Sequence, residues 1–389
     1  MKLCHVIFAT ILILSCSAVV AQTEGAKQPW VALNGYVKNM QSTYFIRKID
    51  SNASANLIHN RLNFKFNISS KISGRLEIRN RIFYGEQIKQ IADFGKRINQ
   101  YDGLLSLSHL WINKKSFVAH SVIDRMLLQY ADEKWGVTIG RQRINWGVNN
   151  VWNPNDIFNA YDFLDFDYEE RRGNDAIRIQ RNWNNNSVLE LAYKPGKNMD
   201  THTAAFLYKF NKWKYDFQFL GGIYQTDYVL GGGWAGSIKD AGFKGEVSYF
   251  IPQKNTLNSS ESFSFSVMAD QTFKNDWYLS LAGLYNSKPT DIFAVSGSFY
   301  NSNLSAKSLF PFRYNFHAMV MKTISPISSY NVSLIYSPEN NTTILIPAYS
   351  WNVATNFDLD FTAQSFFARK NDIFKDVVTQ IYIRGRWSF

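Results

Sequence analysis

Beyond position 16 this sequence contains no cysteine. The two it has, Cys4 and Cys16, sit in an apolar N-terminal stretch. The rest of the chain can therefore form no disulfide, no thiolate metal site and no cysteine nucleophile. Long apolar runs are missing too. The run Val6–Leu14 falls short of the roughly 18 residues that a membrane-spanning helix needs, and no other stretch approaches that length. Histidines are few and dispersed: after His5 they are His59, His109, His120, His202 and His317. No Gly-x-Ser-x-Gly elbow and no His-x-x-x-His pair accompanies them, which leaves little for a hydrolase or a metal centre. Acids are the minority charge, 31 Asp+Glu against 42 Lys+Arg.

The N-terminus has the parts of a secretory signal. Lys2 and His5 precede Val6–Leu14, and Val19 and Ala21 stand at the −3 and −1 positions before Gln22. Residues 1–21 are expected to be removed, because the run is too short to span and a small-residue cleavage site follows it. Cys16 raises the alternative of a lipid anchor, but Leu14 is atypical two residues before such a cysteine and the segment stays apolar to Ala21. Cleavage takes away one cation, Lys2, leaving 41 Lys+Arg against 31 Asp+Glu and a net charge of +10. An exported chain rarely meets nucleic acid. Attraction of anions, or of acidic lipopolysaccharide, fits the compartment better.

What is abundant is aromatic side chains and alternation. Phe, Tyr and Trp number 30, 21 and 11. In 61–69, Leu62, Phe64, Phe66 and Ile68 oppose Arg61, Asn63, Lys65, Asn67 and Ser69. In 72–84, Ile72, Leu76, Ile78 and Ile82 oppose Ser73, Arg75, Glu77, Arg79 and Arg81. The pattern returns in 241–249, 262–270 and 356–364. Period-two alternation of this length predicts strands, and short polar connectors such as Asn184–Asn186 and Lys274–Asn275 predict hairpin turns. A mean hydropathy of −0.25 is odd for a helical membrane protein, yet natural where every second strand residue is polar. No linker or repeat divides the chain, so residues 22–389 are read as one domain.

The chain ends Ile381-Tyr-Ile-Arg-Gly-Arg-Trp-Ser-Phe389, with Ile381, Ile383, Gly385, Trp387 and Phe389 on one face and Arg384 and Arg386 on the other. This resembles the C-terminal assembly signal of Gram-negative outer-membrane β-barrels, in which a terminal Phe is read by the barrel-assembly machinery. The expectation is an all-β, transmembrane, antiparallel up-and-down barrel. About nineteen candidate strands can be counted, an odd number. Short and long connections alternate back from Phe389 to residue 174 and forward from Trp30 to about 104, so the conflict lies within 85–173. Sixteen to eighteen strands are expected, eighteen favoured. Ile88, Ile91 and Ile98 suggest a short helix in 86–100, and 288–311 reads as a long surface loop.

Gly140-Arg-Gln-Arg-Ile-Asn-Trp-Gly147 followed by Trp152-Asn-Pro154 is similar to a strand-end motif of porin-like outer-membrane barrels, a group that includes phosphate-selective and alginate-export-type porins. The resemblance implies a passive channel for small hydrophilic solutes. The loop 145–173 that follows is long and aromatic, and a loop of that kind in a compact domain is usually functional. It is expected to fold inward as a constriction carrying Trp152, Asp162, Asp165, Asp167, Glu169, Glu170, Arg171 and Arg172. Clustered acids could also hold calcium, although no glycine-containing ligand loop accompanies them. The pore wall is assigned Arg75, Glu77, Arg79, Arg81, Arg141, Arg143, Arg384 and Arg386, since arginines facing lipid would cost about 2–4 kcal/mol each near the midplane. For Arg141 and Arg143, holding the loop against the wall is the competing role. Trp387 and Phe389 are assigned to assembly. No cofactor is expected, and the oligomeric state is open. The expected partners are outer-membrane lipids, lipopolysaccharide, the assembly machinery and small solutes, with a modest anion or acidic-saccharide preference. Two alternatives compete: a non-conducting barrel for polysaccharide export or surface assembly, with the aromatic loop as a sugar-stacking platform, and an enzyme barrel.

Overall fold

The computed structural model describes residues 29–389 except 47–50, 101–102, 160–172, 184–185, 255–259, 290–304 and 371–372. The expected signal peptide lies outside them. Three strands open the chain: β1 (Val31–Ile46), β2 (Ser51–Asn67) and β3 (Ile72–Gly85). Two one-turn helices follow, α1 (Glu86–Gln90) and α2 (Phe94–Ile98), where isoleucine spacing suggested one. Then come β4 (Ser108–Lys114), β5 (Phe117–Ala131) and β6 (Trp135–Gln142). Later strands are β7 (Asn174–Asn182), β8 (Val188–Lys194), β9 (Thr203–Lys212), β10 (Tyr215–Tyr224), β11 (Asp227–Ile238) and β12 (Ala241–Pro252). The last are β13 (Ser262–Thr272), β14 (Trp277–Asn286), β15 (Tyr314–Ser325), β16 (Ser328–Ser337), β17 (Thr342–Ala354), β18 (Phe357–Lys370) and β19 (Ile373–Ser388).

All pairings are antiparallel, and β1 pairs with both β2 and β19, which closes the sheet into a barrel. Eighteen strands close it, because β4 is not a full member of the wall. One side of β5 pairs with β3 from Tyr84↔Phe117 to Ile72↔Tyr130. The other side is shared: β4 covers Phe117–Val122 and β6 covers Met126–Ala131. That shared edge is the source of the odd count within 85–173. Trp30 and Phe389 lie at the end with short turns, and the longer connections lie at the other, the asymmetry usual in such barrels.

Alternation works as the sequence implied. Leu128, Ile139, Phe219, Leu230, Leu281 and Ile383 point outward and are exposed. The outward band is edged by aromatics, among them Trp30, Trp135, Trp277 and Trp387 at the turn end and Tyr193, Tyr228 and Tyr314 at the loop end. Among the described residues no helix is long and apolar enough to cross a membrane. The β5–β6 turn is fastened by Asp132, which accepts hydrogen bonds from the Tyr130 hydroxyl and from the backbone N–H of Lys134 and Trp135 at 2.7–2.8 Å. The Tyr130 bond above all holds its pKa at about 2, below the ordinary 3.8. That contribution to stability is complete above pH 3.8 and lost as pH falls through about 2.

The seam is closed to the last residue. Phe389 and Gly35 exchange two backbone hydrogen bonds of 3.0 Å. A Cβ on Gly35 would lie 2.2 Å from the Arg61 carbonyl oxygen and 2.9 Å from the Phe389 ring. Gly35→Val is therefore expected to reduce heat-modifiable, membrane-inserted protein severalfold, as does loss of Phe389. Wild-type levels on a semi-native gel would contradict both expectations.

Candidate functional site in the lumen

The inner face is not uniformly polar, which corrects a simple apolar-out, polar-in reading. In its loop-end half Leu207, Leu220, Val229, Phe250, Ile335 and Ile344 point inward and are buried. They are covered by segments that enter from the loops. The helices α1 and α2 lay Ile88 and Phe94 on Met40, Leu57 and Phe83. Residues 144–159 bring Ile144, Trp146, Ile157 and Phe158 to one apolar cluster and Val151 and Trp152 to another. Leu309, Phe310 and Phe312 join the second cluster. The described part of the 288–311 loop thus tucks partly inside, contrary to its reading as a surface loop. The burial of apolar side chains against the inner wall explains why.

Residues 143–159 cross the lumen from β6 to the far wall, and Glu246 of β12 fastens them. Its fully buried carboxylate accepts hydrogen bonds from the backbone N–H of Val148 (2.6 Å), Asn149 (2.7 Å) and Asn155 (2.9 Å) and from the Asn153 amide (3.2 Å). Asn155 also donates to the Gly232 carbonyl at 2.8 Å. Room for it comes from glycine: a Cβ on Gly231 would lie 2.8 Å from Asn155 Oδ1. Trp146 donates its indole N–H to Glu190 at 2.6 Å and packs edge-on against Phe158. Trp152 meets Phe310 and His317 in the same way.

Facing this loop, the inner side of β1, β2, β3, β5 and β6 carries Lys38, Arg61, Arg79, Arg81, Arg125 and Arg141, all buried among their neighbours. The carboxylates among them are Glu77, Asp124 and Asp175. Asp124 receives Arg61 at 2.8 Å and Arg79 at 3.0 Å, and Arg61 also reaches Glu77 at 2.5 Å. A register shift in the β3–β5 pairing beside Glu77 accompanies the turning inward of both Asp124 and Arg125. Arg81 lies over the Phe83 ring at 5.1 Å, with His120 Nδ1 3.5 Å from its guanidinium. A narrow cleft opens between this wall and Ile98, Gln100 and Ser108, lined by Arg79, Arg81, His120, Asp124 and Arg141. Among the described residues, the six cations of this wall exceed its three carboxylates by three.

The residues expected in the pore are not all together. Arg79, Arg81, Glu77 and Arg141 converge, and Arg75 lies on the same inner face nearer the turns, more exposed. Arg141 forms a bidentate pair with Asp175 at 2.8 and 3.0 Å and also donates to the Ile123 and Leu105 carbonyls, so it ties strand ends and the 99–107 segment together. Arg143 lies beyond β6 and is exposed, apart from the cluster. Arg384 pairs with Asp360 at 2.9 Å, and Arg386 lies over Tyr36 at 4.9 Å, both on the inner face nearer the turns. Trp152 is in the lumen, whereas Asp162, Asp165, Asp167, Glu169, Glu170, Arg171 and Arg172 lie outside the described residues. Arg61, Asp124, Glu190 and Glu246 were missed. For Asp124 the cue was available: two successive charges, Asp124-Arg125, inside an otherwise alternating strand signal a bulge.

A closed 18-stranded antiparallel barrel with an inward loop is the fold of the outer-membrane porins. No family model matches the sequence, and no curated protein matches it. Among solved structures the chain is similar to the outer membrane protein OprD of Pseudomonas aeruginosa, at 10% identity, a TM-score of 0.58 and coverage of 96% of this chain and 97% of that one. It is similar to a BenF-like porin from Pseudomonas fluorescens Pf-5 at 8% identity, with TM-score 0.58 and coverage of 92% and 99%. OpdK of Pseudomonas aeruginosa, solved with vanillate, follows at 6%, 0.56, 92% and 98%. These neighbours are not the phosphate-selective or alginate-export type that the Gly140–Gly147 motif suggested. At such identities they establish the fold.

Proposed function

We propose that this protein is an outer-membrane channel for passive diffusion of small hydrophilic solutes, with a modest preference for anions, carboxylates included. The basic wall facing an inward loop carries the reading: fixed positive charge between low-dielectric walls concentrates anions. The aromatic girdles and the terminal Phe389 support an outer-membrane location, lipopolysaccharide as surroundings and the barrel-assembly machinery as a transient partner. Trp146, Trp152 and Phe158 are buried against the inner wall, which favours a channel over a platform for stacking sugars. No bond chemistry is assigned to the lumen, and no cofactor is required.

The test is a reversal potential across planar bilayers in a salt gradient. Anion preference is expected at low ionic strength, fading as the Debye length shrinks to about 3 Å at 1 M. Arg79→Ala combined with Arg81→Ala is expected to reduce it at least twofold. Cation preference in the unmodified protein would defeat the selectivity, and absence of any conductance would defeat the channel.

A further inference from the structure

The far wall holds a group of side chains that diffusion of anions leaves unexplained. Past position 16 the sequence has no cysteine, so sulfur reaches the lumen only as methionine. Three methionines stand on the inner face of β13 and β15, around one histidine. Ser264, Ser266 and Met268 alternate inward on β13, and Met268 is buried. On β15 His317, Met319 and Met321 share the inner face, because Phe316 and Val320 point outward and are exposed. The strand thus reads His-x-Met-x-Met toward the turns.

Register brings them together. Met268 pairs with Ala282 of β14, and Ala282 with His317. Adjacent strands are about 4.8 Å apart, so the backbones of Met268 and His317 stand about 10 Å apart across a residue with no more than a methyl group. Met319 follows His317 on the same face, about 7 Å along the strand. Its own row is Met319, Ser280 and Asp270, which brings a carboxylate beside it, itself 3.7 Å from Lys244. The crossing segment lays Trp152 on the group. Its indole meets the His317 ring edge-on at 6.3 Å and shares a cluster with Met268, Ala282 and Ile335, the last a cross-strand partner of His317. Met319 and Met321 are half-buried, so solvent in the lumen reaches them.

We propose that Met268, His317 and Met319 form a binding site for a soft monovalent cation, Cu(I) or Ag(I), with Trp152 against it. Thioethers are polarisable and select soft ions, and a neutral imidazole is the commonest metal ligand to join them. Hard cations want oxygen ligands, and zinc takes thiolate, imidazole or carboxylate. Among the described residues no group of three or more histidines and carboxylates is placed to hold such an ion. Ligand type alone therefore makes the set selective. An indole also attracts a cation within about 6 Å of its ring, more strongly than any other side-chain ring. Packing accounts poorly for the histidine: Ala282, Ile335 and the Trp152 ring around it are apolar, and a leucine would fill the place without burying a polar group. The site depends on which side chains face inward and not on conduction.

The probe is Ag(I), added as the nitrate to the folded protein in chloride-free detergent solution. Isothermal titration is expected to give one saturable site per chain, and X-ray absorption at the silver edge to show sulfur and nitrogen neighbours. Met268→Leu with Met319→Leu keeps size and apolarity and is expected to weaken binding about tenfold or more. Met126→Leu, exposed on the outer face, is expected to leave it unchanged. Zn(II) in excess is not expected to compete. Where the double variant does not fold, Met319→Leu alone, at a half-buried position, carries the same expectation. Absence of saturable binding, a silver shell of oxygen alone, wild-type affinity in the leucine variants, equal weakening by Met126→Leu, or displacement by Zn(II) would each overturn the proposal.

Discussion

Replacing Glu246 with Ala is expected to raise single-channel conductance by a factor of two or more and to make residues 143–159 susceptible to protease. Three backbone N–H groups and one side-chain amide converge on that carboxylate in the lumen. A buried donor left without its acceptor costs about 1–3 kcal/mol, so losing several at once exceeds what one loop can absorb in place. The barrel should survive, since its ladder is closed without the loop. Glu246→Gln is expected to be intermediate, because its NH2 would face a donor where a carboxylate oxygen now accepts. Conductance and protease resistance equal to wild type would show that the apolar contacts of Trp146, Trp152 and Phe158 hold the loop unaided.

Asp124→Ala is expected to destabilise the barrel strongly and, in whatever assembles, to sharpen anion preference. Asp124 is almost wholly buried between Arg61 and Arg79. Breaking a buried pair by removing one partner costs about 3–5 kcal/mol, because the charge left behind stays desolvated. Arg61 retains Glu77 as a partner, so the penalty falls chiefly on Arg79. The midpoint of unfolding in a temperature series on semi-native gels measures the first effect, and the reversal potential measures the second. An unchanged midpoint would mean that lumenal water screens the arginines after all.

Much of the barrel was legible because barrel strands expose their period directly: Phe64 with Phe66, or Ile381 with Ile383, point outward and leave their mark in sequence. The constraint is local and repeats every second residue. The lumen is otherwise. Glu246 looks like any polar member of an alternating strand, and its importance arises from Val148, Asn149 and Asn155, nearly one hundred residues earlier in the chain. The inward tuck of Leu309, Phe310 and Phe312 was concealed by the serines around them. Arg143, beside the well-buried Arg141, shows the limit from the other side: the strand ends between them, and alternation stops predicting where a side chain goes.

The shared edge of β5 also bears on ancestry. The ring of pairings passes from β3 directly to β5, and β4 pairs with β5 alone. The helices α1 and α2 and strand β4 thus brace the wall without setting its circumference. A chain lacking them would still close with eighteen strands, keep both ends on one side, and present a wider mouth above the arginines. Insertions and deletions there can retune the entrance across generations while the girth of the barrel stays fixed.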